Sequence, residues 1–221
     1  NVNGFEQDLE QFLNDNVHVA ALSSGTAAIH LGLILLGVQA GDAVICQSFT
    51  FSASANPILY LGATPVFIDS EKDTWNLCPI AVEDAIKVCI EKGKKPKAII
   101  AVDLYGMPYR ASEIKALSKQ YEIPVLEDAA EALGSFYGNQ PCGTLGDVGV
   151  ISFNGNKIVT CGGGGTIVTN DSNLGEKGKY LTTTAKIPDD GAWSTGASVV
   201  DINNDGLLDI YVCRVGKHQI L

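Results

Sequence analysis

Two periods of apolar residues alternate along this chain, one typical of strands and the other typical of helices. The short apolar runs predict seven strands, at Val17–Leu22, Ala43–Gln47, Pro65–Ile68, Ala98–Asp103, Pro124–Leu126, Val148–Phe153 and Thr166–Thr169. The longer segments, in which apolar residues recur at helical spacing, predict helices at Gly4–Asn14, Thr26–Leu36, Ser52–Leu61, Ile80–Glu91, Ala111–Tyr121 and Leu174–Thr184. Strands and helices therefore follow one another for most of the chain.

This alternation predicts an α/β fold, a three-layer α/β/α domain with a mostly parallel seven-stranded sheet. Parallel neighbours need a connection long enough for a crossover helix, whereas antiparallel neighbours need only a short loop. The last two predicted strands are joined by a glycine-rich loop that is too short for such a helix. We therefore expect one of these two strands to be antiparallel.

The helical alternation stops near residue 187. From there the sequence predicts short strands, at Ala197–Val200 and Leu207–Cys213, on either side of a turn rich in Asn and Asp. We therefore expect two domains, an α/β domain at residues 1–186 and a short β-rich tail at residues 187–221.

Charge and composition exclude several classes of protein. The 221 residues carry a formal net charge of −10, which argues against a nucleic-acid-binding surface. The longest apolar stretch, Ala27–Val38, is too short to span a bilayer. The six cysteines have no C-x-x-C spacing and no histidine cluster, so neither a zinc site nor a disulfide framework is expected. Scattered thiols favour a reducing compartment, and we expect a cytoplasmic protein.

A lysine and an aspartate lie just beyond two of the predicted strands. Lys157 is on a glycine-flanked turn after Val148–Phe153, and Asp128, 29 residues earlier, lies beyond Pro124–Leu126. The carboxyl ends of strands in an α/β sheet face one crevice, so the two side chains are expected to meet there. An amine for a Schiff base and an acid for a pyridinium nitrogen are what a pyridoxal phosphate (PLP) enzyme requires.

Three further features have both a functional and a structural interpretation. Ser23–Thr26 precedes a helix, where its N–H groups and hydroxyls either bind a phosphate or cap the helix. Phe51 follows the second strand and either stacks on a planar cofactor or belongs to the core. Glu131, one helical turn beyond Asp128 and so on the same face, either approaches the cofactor's phenolic oxygen or is solvated.

Several segments, in the right order, resemble the DegT/DnrJ/EryC1/StrS family, the PLP-dependent nucleotide-sugar aminotransferases of fold type I. The matching segments are Ser23–Ala28, Phe49–Phe51, Gly62–Phe67, Asp103–Gly106, Glu127–Glu131, Gly146–Asp147 and Ser152–Lys157 with the glycines that follow. The resemblance covers residues 1–186 and implies the fold of that family's large domain.

The resemblance also implies a role for each candidate residue. Lys157 is then the lysine of the internal aldimine, and Asp128 is the partner of the pyridinium nitrogen. Glu131 is assigned to catalysis as well, at a position where the family often has Gln, His or Glu. The remaining cofactor contacts, to the phosphate and to the face of the ring, are assigned to Ser24, Gly25, Thr26, Ser152 and Phe51.

The implied reaction transfers an amino group, expected to come from glutamate, to a nucleotide-linked keto-sugar for cell-surface polysaccharide or amino-sugar biosynthesis. The family's dehydratases have histidine in place of the lysine, so Lys157 favours transamination over dehydration or elimination on the same scaffold. The family also implies a homodimer with its active site at the subunit interface. No nucleic-acid or membrane partner is expected.

The resemblance changes near residue 187. The family's chains continue into a smaller domain, whereas Pro188–Leu221 resembles a β-propeller repeat of the FG-GAP/VCBS type. Oxygen-bearing side chains at alternate positions around a glycine turn suit Ca²⁺, and they predict a calcium site at Asp201, Asn203, Asp205 and Asp209. The alternative is an Asx-rich turn without a metal. A second hypothesis is therefore a catalytically idle fragment or fusion with a calcium-binding or adhesive tail.

Overall fold

Most of the predicted helices and strands are present in the computed structural model, which describes residues 2–14, 16–184, 194–200, 209–214 and 219–220. The described helices are α1 (Val2–Leu13), α2 (Gly25–Leu35), α3 (Asn56–Tyr60), α4 (Pro79–Glu91), α5 (Ala111–Tyr121) and α6 (Ser172–Thr184). None of these helices is long and apolar enough to cross a membrane. The strands that alternate with them are β1 (His18–Leu22), β2 (Ala43–Gln47), β3 (Thr64–Ile68), β4 (Ala98–Val102), β5 (Val125–Asp128), β6 (Phe136–Tyr137), β7 (Gln140–Pro141), β8 (Val148–Ser152) and β9 (Gly165–Thr169).

Seven of these strands form one sheet, in the order β1-β9-β8-β5-β4-β2-β3. The strand β9 is antiparallel to both of its neighbours, β8 and β1, whereas the other pairs are parallel. The α/β class, the mostly parallel seven-stranded sheet and the antiparallel strand at the glycine loop are therefore confirmed. The small antiparallel hairpin of β6 and β7 was not predicted.

Helices pack on both faces of the sheet because its central strands are apolar on both faces. Along β4, Ile99 and Ala101 belong to one core cluster, and Ala98, Ile100 and Val102 belong to the other. Since successive side chains of a strand point to opposite faces, the two clusters lie on opposite sides of the sheet. The first cluster includes residues of α1, α4 and α5, and the second includes residues of α2 and α3.

The register of the central strands places Asp128 in the middle of the sheet edge. Asp128 is the last residue of β5, and it pairs with Val102 of β4 on one side and with Val150 of β8 on the other. The carboxyl ends of these three parallel strands therefore meet around its side chain.

The segment predicted as one helix over Ser52–Leu61 is instead a 3₁₀ turn at Ser52–Ser54 followed by the short α3. Pro57 lies in the first turn of α3. Proline has no N–H to donate to a preceding turn and disfavours helical geometry in the residue before it. One continuous helix therefore cannot form here, and the prediction was wrong at this point.

A second compact unit follows Gly178. Its described strands, β10 (Ser194–Val200), β11 (Asp209–Arg214) and β12 (Gln219–Ile220), form an antiparallel sheet in that order. Two of them overlap the strands predicted at Ala197–Val200 and Leu207–Cys213. The boundary near residue 187 stays a prediction.

Candidate active site

A cavity of about 260 Å³ lies at the carboxyl ends of β4, β5 and β8. Its wall includes all eight residues that the sequence predicts for cofactor binding or catalysis, namely Ser24, Gly25, Thr26, Phe51, Asp128, Glu131, Ser152 and Lys157. These residues lie on loops and strand ends that are far apart in the chain, so it is the fold that brings them together.

The N-terminus of α2 forms one end of this cavity. Ser24 caps the helix, because its Oγ accepts a hydrogen bond from the Ala27 N–H at 3.1 Å, so the capping interpretation is confirmed. Gly25 and Thr26 supply the first N–H groups of the helix, which have no acceptor within the helix itself. These N–H groups and the helix dipole together favour an anion at this end.

Close backbone packing at the same end requires glycine at two positions. A Cβ on Gly25 would lie 2.9 Å from the Cβ of Ser152, and a Cβ on Gly165 would lie 2.4 Å from the carbonyl carbon of Ser24. A short bridge also pairs Ser24 with Gly164. The start of α2 therefore fits against the ends of β8 and β9 only while both glycines lack a side chain.

Asp128 is the buried acid of the cavity. Its Oδ2 accepts a hydrogen bond from Ser54 Oγ at 2.6 Å, and its Oδ1 accepts one from the Ala130 N–H at 3.2 Å. Burial raises the pKa of Asp128, while these two hydrogen bonds and the positive charge of Lys157 oppose that rise. A cationic N–H in the cavity would stabilise the ionised form of this carboxyl.

Lys157 and Glu131 form an ion pair in the cavity wall. The Nζ of Lys157 lies 3.2 Å from Oε1 of Glu131, and their side chains are 12% and 30% exposed. The other oxygen of Glu131, Oε2, accepts a hydrogen bond from the Tyr105 N–H at 3.0 Å. Glu131 is therefore held by two partners, and the interpretation that it is simply solvated is wrong.

The segment from Asp128 to Glu131 is not helical. The prediction that these two residues share one face of a helix was therefore wrong. The Ala132 N–H donates to the Ala129 carbonyl at 3.0 Å, as in a turn, and β5 ends at Asp128. The two carboxyls nevertheless line the same cavity, because the turn directs the chain back across the end of the strand.

Phe51 lies in the cavity wall, and its side chain is 71% exposed. The alternative that it belongs to the hydrophobic core is therefore wrong. An exposed aromatic ring beside a cavity is available to stack on a planar ligand.

The chain also matches known proteins. The model of the DegT/DnrJ/EryC1/StrS aminotransferase family matches residues 1–200. The chain belongs to this family. The match extends past the boundary predicted near residue 187, and nothing beyond residue 200 is covered by it.

Members of the family with curated names cover most of this chain. EpsN of Bacillus subtilis (strain 168), whose name proposes a PLP-dependent aminotransferase, is 52% identical over 187 residues, which are 85% of this chain and 48% of EpsN. GDP-perosamine synthase of Escherichia coli O157:H7 is 44% identical over 157 residues, which are 71% of this chain and 42% of the synthase. This chain thus spans about half the length of the curated relatives it matches.

A solved structure of the DegT/DnrJ/EryC1/StrS family has the same fold. The crystal structure of a family aminotransferase from Brucella abortus superposes with a TM-score of 0.80 at 37% identity, over 84% of this chain and 50% of that one. The fold predicted from the resemblance is therefore confirmed.

The residues around the cavity fit PLP, the cofactor of this family. The N-terminus of α2 favours an anion, and Gly25 lets it pack closely against Ser152, which suits a phosphate. A buried carboxylate, Asp128, suits a ring N–H, and the amine of Lys157 lies in the same cavity. One cavity thus contains a complementary group for each of the phosphate, the ring nitrogen and the aldehyde.

Sequence reasoning missed three residues that support the predicted ones. Ser54 donates to Asp128, and Thr50 Oγ1 lies 2.8 Å from Ser54 Oγ. Tyr105 holds Glu131 through its backbone N–H. Any residue except proline has this donor, so the sequence gives no signal for the interaction. The signal available for the first two was the run of hydroxyl residues from Thr50 to Ser54 directly after β2.

The described part of the chain contains one cluster of possible metal ligands, formed by Asp103, Glu127 and Cys142. Their ligand atoms lie within 4.8 Å of one another. All three are buried, and Glu127 already accepts hydrogen bonds from three backbone N–H groups, those of Gly143, Leu145 and Gly146. Burial and the charge of Glu127 raise the pKa of Asp103 well above its usual range. A proton shared by the two carboxyls therefore fits this cluster better than a metal does.

The predicted calcium ligands cannot be placed. Asp201, Asn203 and Asp205 lie outside the described residues, and only the backbone of Asp209 is described, at the start of β11. The calcium site stays a prediction.

Proposed function

We propose that this chain forms the cofactor-binding part of a PLP-dependent aminotransferase that acts on a nucleotide-linked keto-sugar. The observation that carries the proposal is the meeting of Lys157, Asp128 and the Gly25 anion site in one cavity. Membership of an aminotransferase family supports it. Because the chain spans about half of its curated relatives, the activity proposed is that of the whole protein.

Two segments would bind the cofactor's phosphate. Gly25 and Thr26 would donate N–H groups at the start of α2, and Ser24 and Ser152 would add hydroxyls beside them. The phosphate would lie at the positive end of the helix dipole, which is where an anion is favoured. Binding at this end fixes the position of the ring relative to Asp128 and Lys157.

Asp128 and Phe51 would hold the ring itself. When bound, PLP supplies an electron-withdrawing ring that stabilises negative charge on the substrate carbon that loses a proton. Asp128 would keep the ring nitrogen protonated, because a buried carboxylate favours a cationic neighbour. Phe51 would cover one face of the ring and exclude water from it.

Lys157 would supply the reactive amine and then move the proton. Its amine would lie beside the cofactor's aldehyde, and it would act as the general base that moves the proton at the donor's Cα. Glu131, 3.2 Å from Nζ, would orient the amine and approach the cofactor's phenolic oxygen. We propose glutamate as the donor.

A relative of the chain supports the proposed substrate class. GDP-perosamine synthase, a relative at 44% identity, is named for an amino sugar carried on a nucleotide. We propose that a nucleotide keto-sugar is the amino acceptor here as well, for amino-sugar or cell-surface polysaccharide biosynthesis. Product analysis with glutamate and keto-sugar nucleotides separates transamination, which yields an amino sugar and 2-oxoglutarate, from dehydration or elimination on the same scaffold.

A homodimer is part of the proposal. Large aromatic side chains in the cavity wall or adjacent in sequence to it are exposed in the single chain, among them Phe49 at 46%, Phe51 at 71% and Tyr105 at 80%. A second copy that covers them would close the site to water. Sedimentation equilibrium with and without PLP measures the state of association.

The test of the proposed function is reduction of the PLP-loaded protein with borohydride, followed by peptide mass analysis. The expected result is a phosphopyridoxyl group on Lys157. The matched control is Lys157→Arg, which keeps a positive charge opposite Glu131 but has no amine that forms the adduct. A folded wild-type protein that carries no adduct on Lys157 would leave the second hypothesis, a catalytically idle fragment.

Two further assignments belong to the proposal. A cytoplasmic location is proposed because the cysteines whose side chains are described, Cys46, Cys78, Cys89, Cys142 and Cys161, are all free. Calcium binding by the tail rests on the spacing of Asp201, Asn203, Asp205 and Asp209 alone. Calorimetric titration with Ca²⁺, repeated on Asp205→Ala, tests that idea, and the absence of binding heat would remove it.

A further inference from the structure

A buried asparagine outside the cavity stands at the start of a series of contacts that reaches Lys157. Asn76 is completely buried. Its Nδ2 donates a hydrogen bond to the Met107 carbonyl at 2.8 Å, and its Oδ1 accepts one from the Leu104 N–H at 3.0 Å. One side chain thus binds both ends of the turn at residues 104–107, which follows β4.

The turn that Asn76 holds has an unusual backbone conformation at Tyr105. Its φ is 54°, in the left-handed region that residues other than glycine rarely occupy. The Tyr105 side chain is 80% exposed, so packing of the ring does not account for this conformation. Such a conformation persists only where surrounding contacts enforce it, and here the contacts come from Asn76 and from Ser135, whose Oγ donates to the Gly106 carbonyl at 2.7 Å.

The consequence of this conformation is the direction of one N–H group. The Tyr105 N–H donates to Oε2 of Glu131 at 3.0 Å, and Oε1 of Glu131 faces Lys157 Nζ at 3.2 Å. Both oxygens of the carboxylate are therefore engaged, one by the turn and one by the lysine. A shift of the turn would break the hydrogen bond to Oε2, and Oε1 would then no longer be held in position against Lys157.

Asn76 is itself fixed by its own loop. Its carbonyl accepts a hydrogen bond from the Glu71 N–H at 2.9 Å, and its N–H donates to Thr74 Oγ1 at 3.3 Å. Glu71 also pairs with Arg110, at 3.4 Å. These contacts hold the loop around Asn76 in one conformation. The Asn76 side chain therefore has a fixed position from which it can support the turn.

We propose that Asn76 is a positioning residue for Lys157, acting through the turn at residues 104–107 and Glu131. The proposal rests on the proposed function, in which Lys157 is the reactive amine. Asn76 touches neither the cavity nor Lys157, so its effect passes through the backbone of the turn.

The test measures the reactivity of Lys157 in the protein without added PLP. Competitive acetylation followed by peptide mass spectrometry gives the rate of Lys157 modification relative to the exposed Lys94 and Lys95. Asn76→Ala is expected to raise the relative rate for Lys157 by about two- to fivefold, the range that loss of a partly exposed ion pair allows. Lys94 and Lys95 are expected to react as in the wild type.

The matched control is Thr169→Val. Thr169 is also buried and makes two hydrogen bonds with backbone groups, to the Asp147 carbonyl at 2.8 Å and from the Asp171 N–H at 3.2 Å. It lies at the end of β9 away from the cavity. Thr169→Val is expected to lower the melting temperature without changing the relative rate for Lys157, which separates positioning from general loss of stability.

A double-mutant cycle decides whether Asn76 acts through Glu131. In a Glu131→Ala background, Asn76→Ala is expected to have no further effect on Lys157. An undiminished effect in that background, or an unchanged rate in folded Asn76→Ala, overturns the proposal. If Asn76→Ala does not fold, Asn76→Ser replaces it, because serine stays polar but cannot reach both Leu104 and Met107.

The labelling assay needs no bound cofactor, so it can fail or succeed independently of the borohydride experiment. An unaltered labelling rate together with a phosphopyridoxyl group on Lys157 would reject the role of Asn76 and retain the proposed function. An altered rate without that adduct would retain the positioning of the lysine and reject its proposed use.

Discussion

Lys157 Nζ lies 3.2 Å from Glu131 Oε1, although 26 residues separate the two in sequence. The lysine is on the loop after β8, and the glutamate is on the turn after β5, so the pairing of these two parallel strands brings them together. Before any ligand binds, the amine therefore has a fixed charged partner within the cavity.

Removal of that charge is expected to speed the reaction of Lys157 with PLP. Glu131→Gln keeps an acceptor for the Tyr105 N–H but no longer holds the lysine nitrogen in an ion pair, which leaves the amine freer to attack an aldehyde. We expect about two- to fivefold faster capture of PLP at neutral pH, measured by stopped-flow absorbance. Capture slower than in the wild type would contradict this role for the charge of Glu131.

Asp128→Asn is expected to weaken cofactor binding without weakening the fold. The variant keeps an acceptor for Ser54 but loses the charge opposite the ring nitrogen. A hydrogen bond to a charged group contributes about 1.5–3 kcal/mol, so PLP affinity is expected to fall roughly ten- to a hundredfold. Removal of a buried charge favours stability, whereas the amide nitrogen opposite the Ala130 N–H opposes it, so stability in urea is expected to change little. Unchanged PLP affinity would count against the ring-nitrogen role.

Gly25→Ala is expected to damage the anion site and to destabilise the protein. The new Cβ would lie 2.9 Å from Ser152 Cβ, and such overpacking costs about 1–3 kcal/mol. PLP affinity and the urea midpoint measure the two effects. Gly163→Ala is the control, since a Cβ there meets no atom within 4 Å and Gly163 does not have a positive φ. Equal PLP affinity in both variants would exclude the site at the start of α2.

Asp103→Asn is expected to change how stability depends on pH. The pKa of Asp103 is raised, chiefly by burial and then by Glu127, so the folded protein retains a proton that the unfolded chain releases. The free energy of unfolding of the wild type therefore falls as pH rises between the ordinary pKa of Asp and the raised one, by up to about 1.4 kcal/mol per pH unit. Asparagine does not titrate and can still donate to Glu127.

The measurement is urea unfolding of both proteins in mildly acidic, neutral and alkaline buffer. The stability of Asp103→Asn relative to the wild type is expected to increase with pH across that window. Asp103 Oδ2 has no hydrogen-bond donor among the described residues, which is what a shared proton would explain. A difference that stays constant with pH would show that Asp103 is ionised in the folded protein.

The strands and most helices of the α/β unit could be predicted because their apolar periods are long and uninterrupted. The break at Pro57 was missed because the apolar pattern of Ser52–Leu61 continues through the proline. The antiparallel direction of β9 could be predicted, since the loop before it is too short for a crossover helix. Its position between β1 and β8 was not, because strand order depends on contacts across the whole sheet.

The cavity residues were predicted from motifs, but the interactions between them were not. Lys157 follows β8 and Asp128 ends β5, and a position at the end of a strand can be predicted from a sequence. The hydrogen bond from Ser54 to Asp128 depends on the broken helix, and the one from Tyr105 to Glu131 depends on a backbone angle. Neither geometry is encoded by a local pattern of side chains.

The reversed strand β9 also determines when this site can be completed. Its pairing with β1, and the bridge between Ser24 and Gly164, join positions that are 140 to 151 residues apart in the chain. Contacts of such long range carry a high loop-closure cost and form late in folding. The end of the cavity beside α2 therefore exists only after the last strand of the sheet has joined the first, and capture of a phosphorylated ligand would report that the sheet has closed.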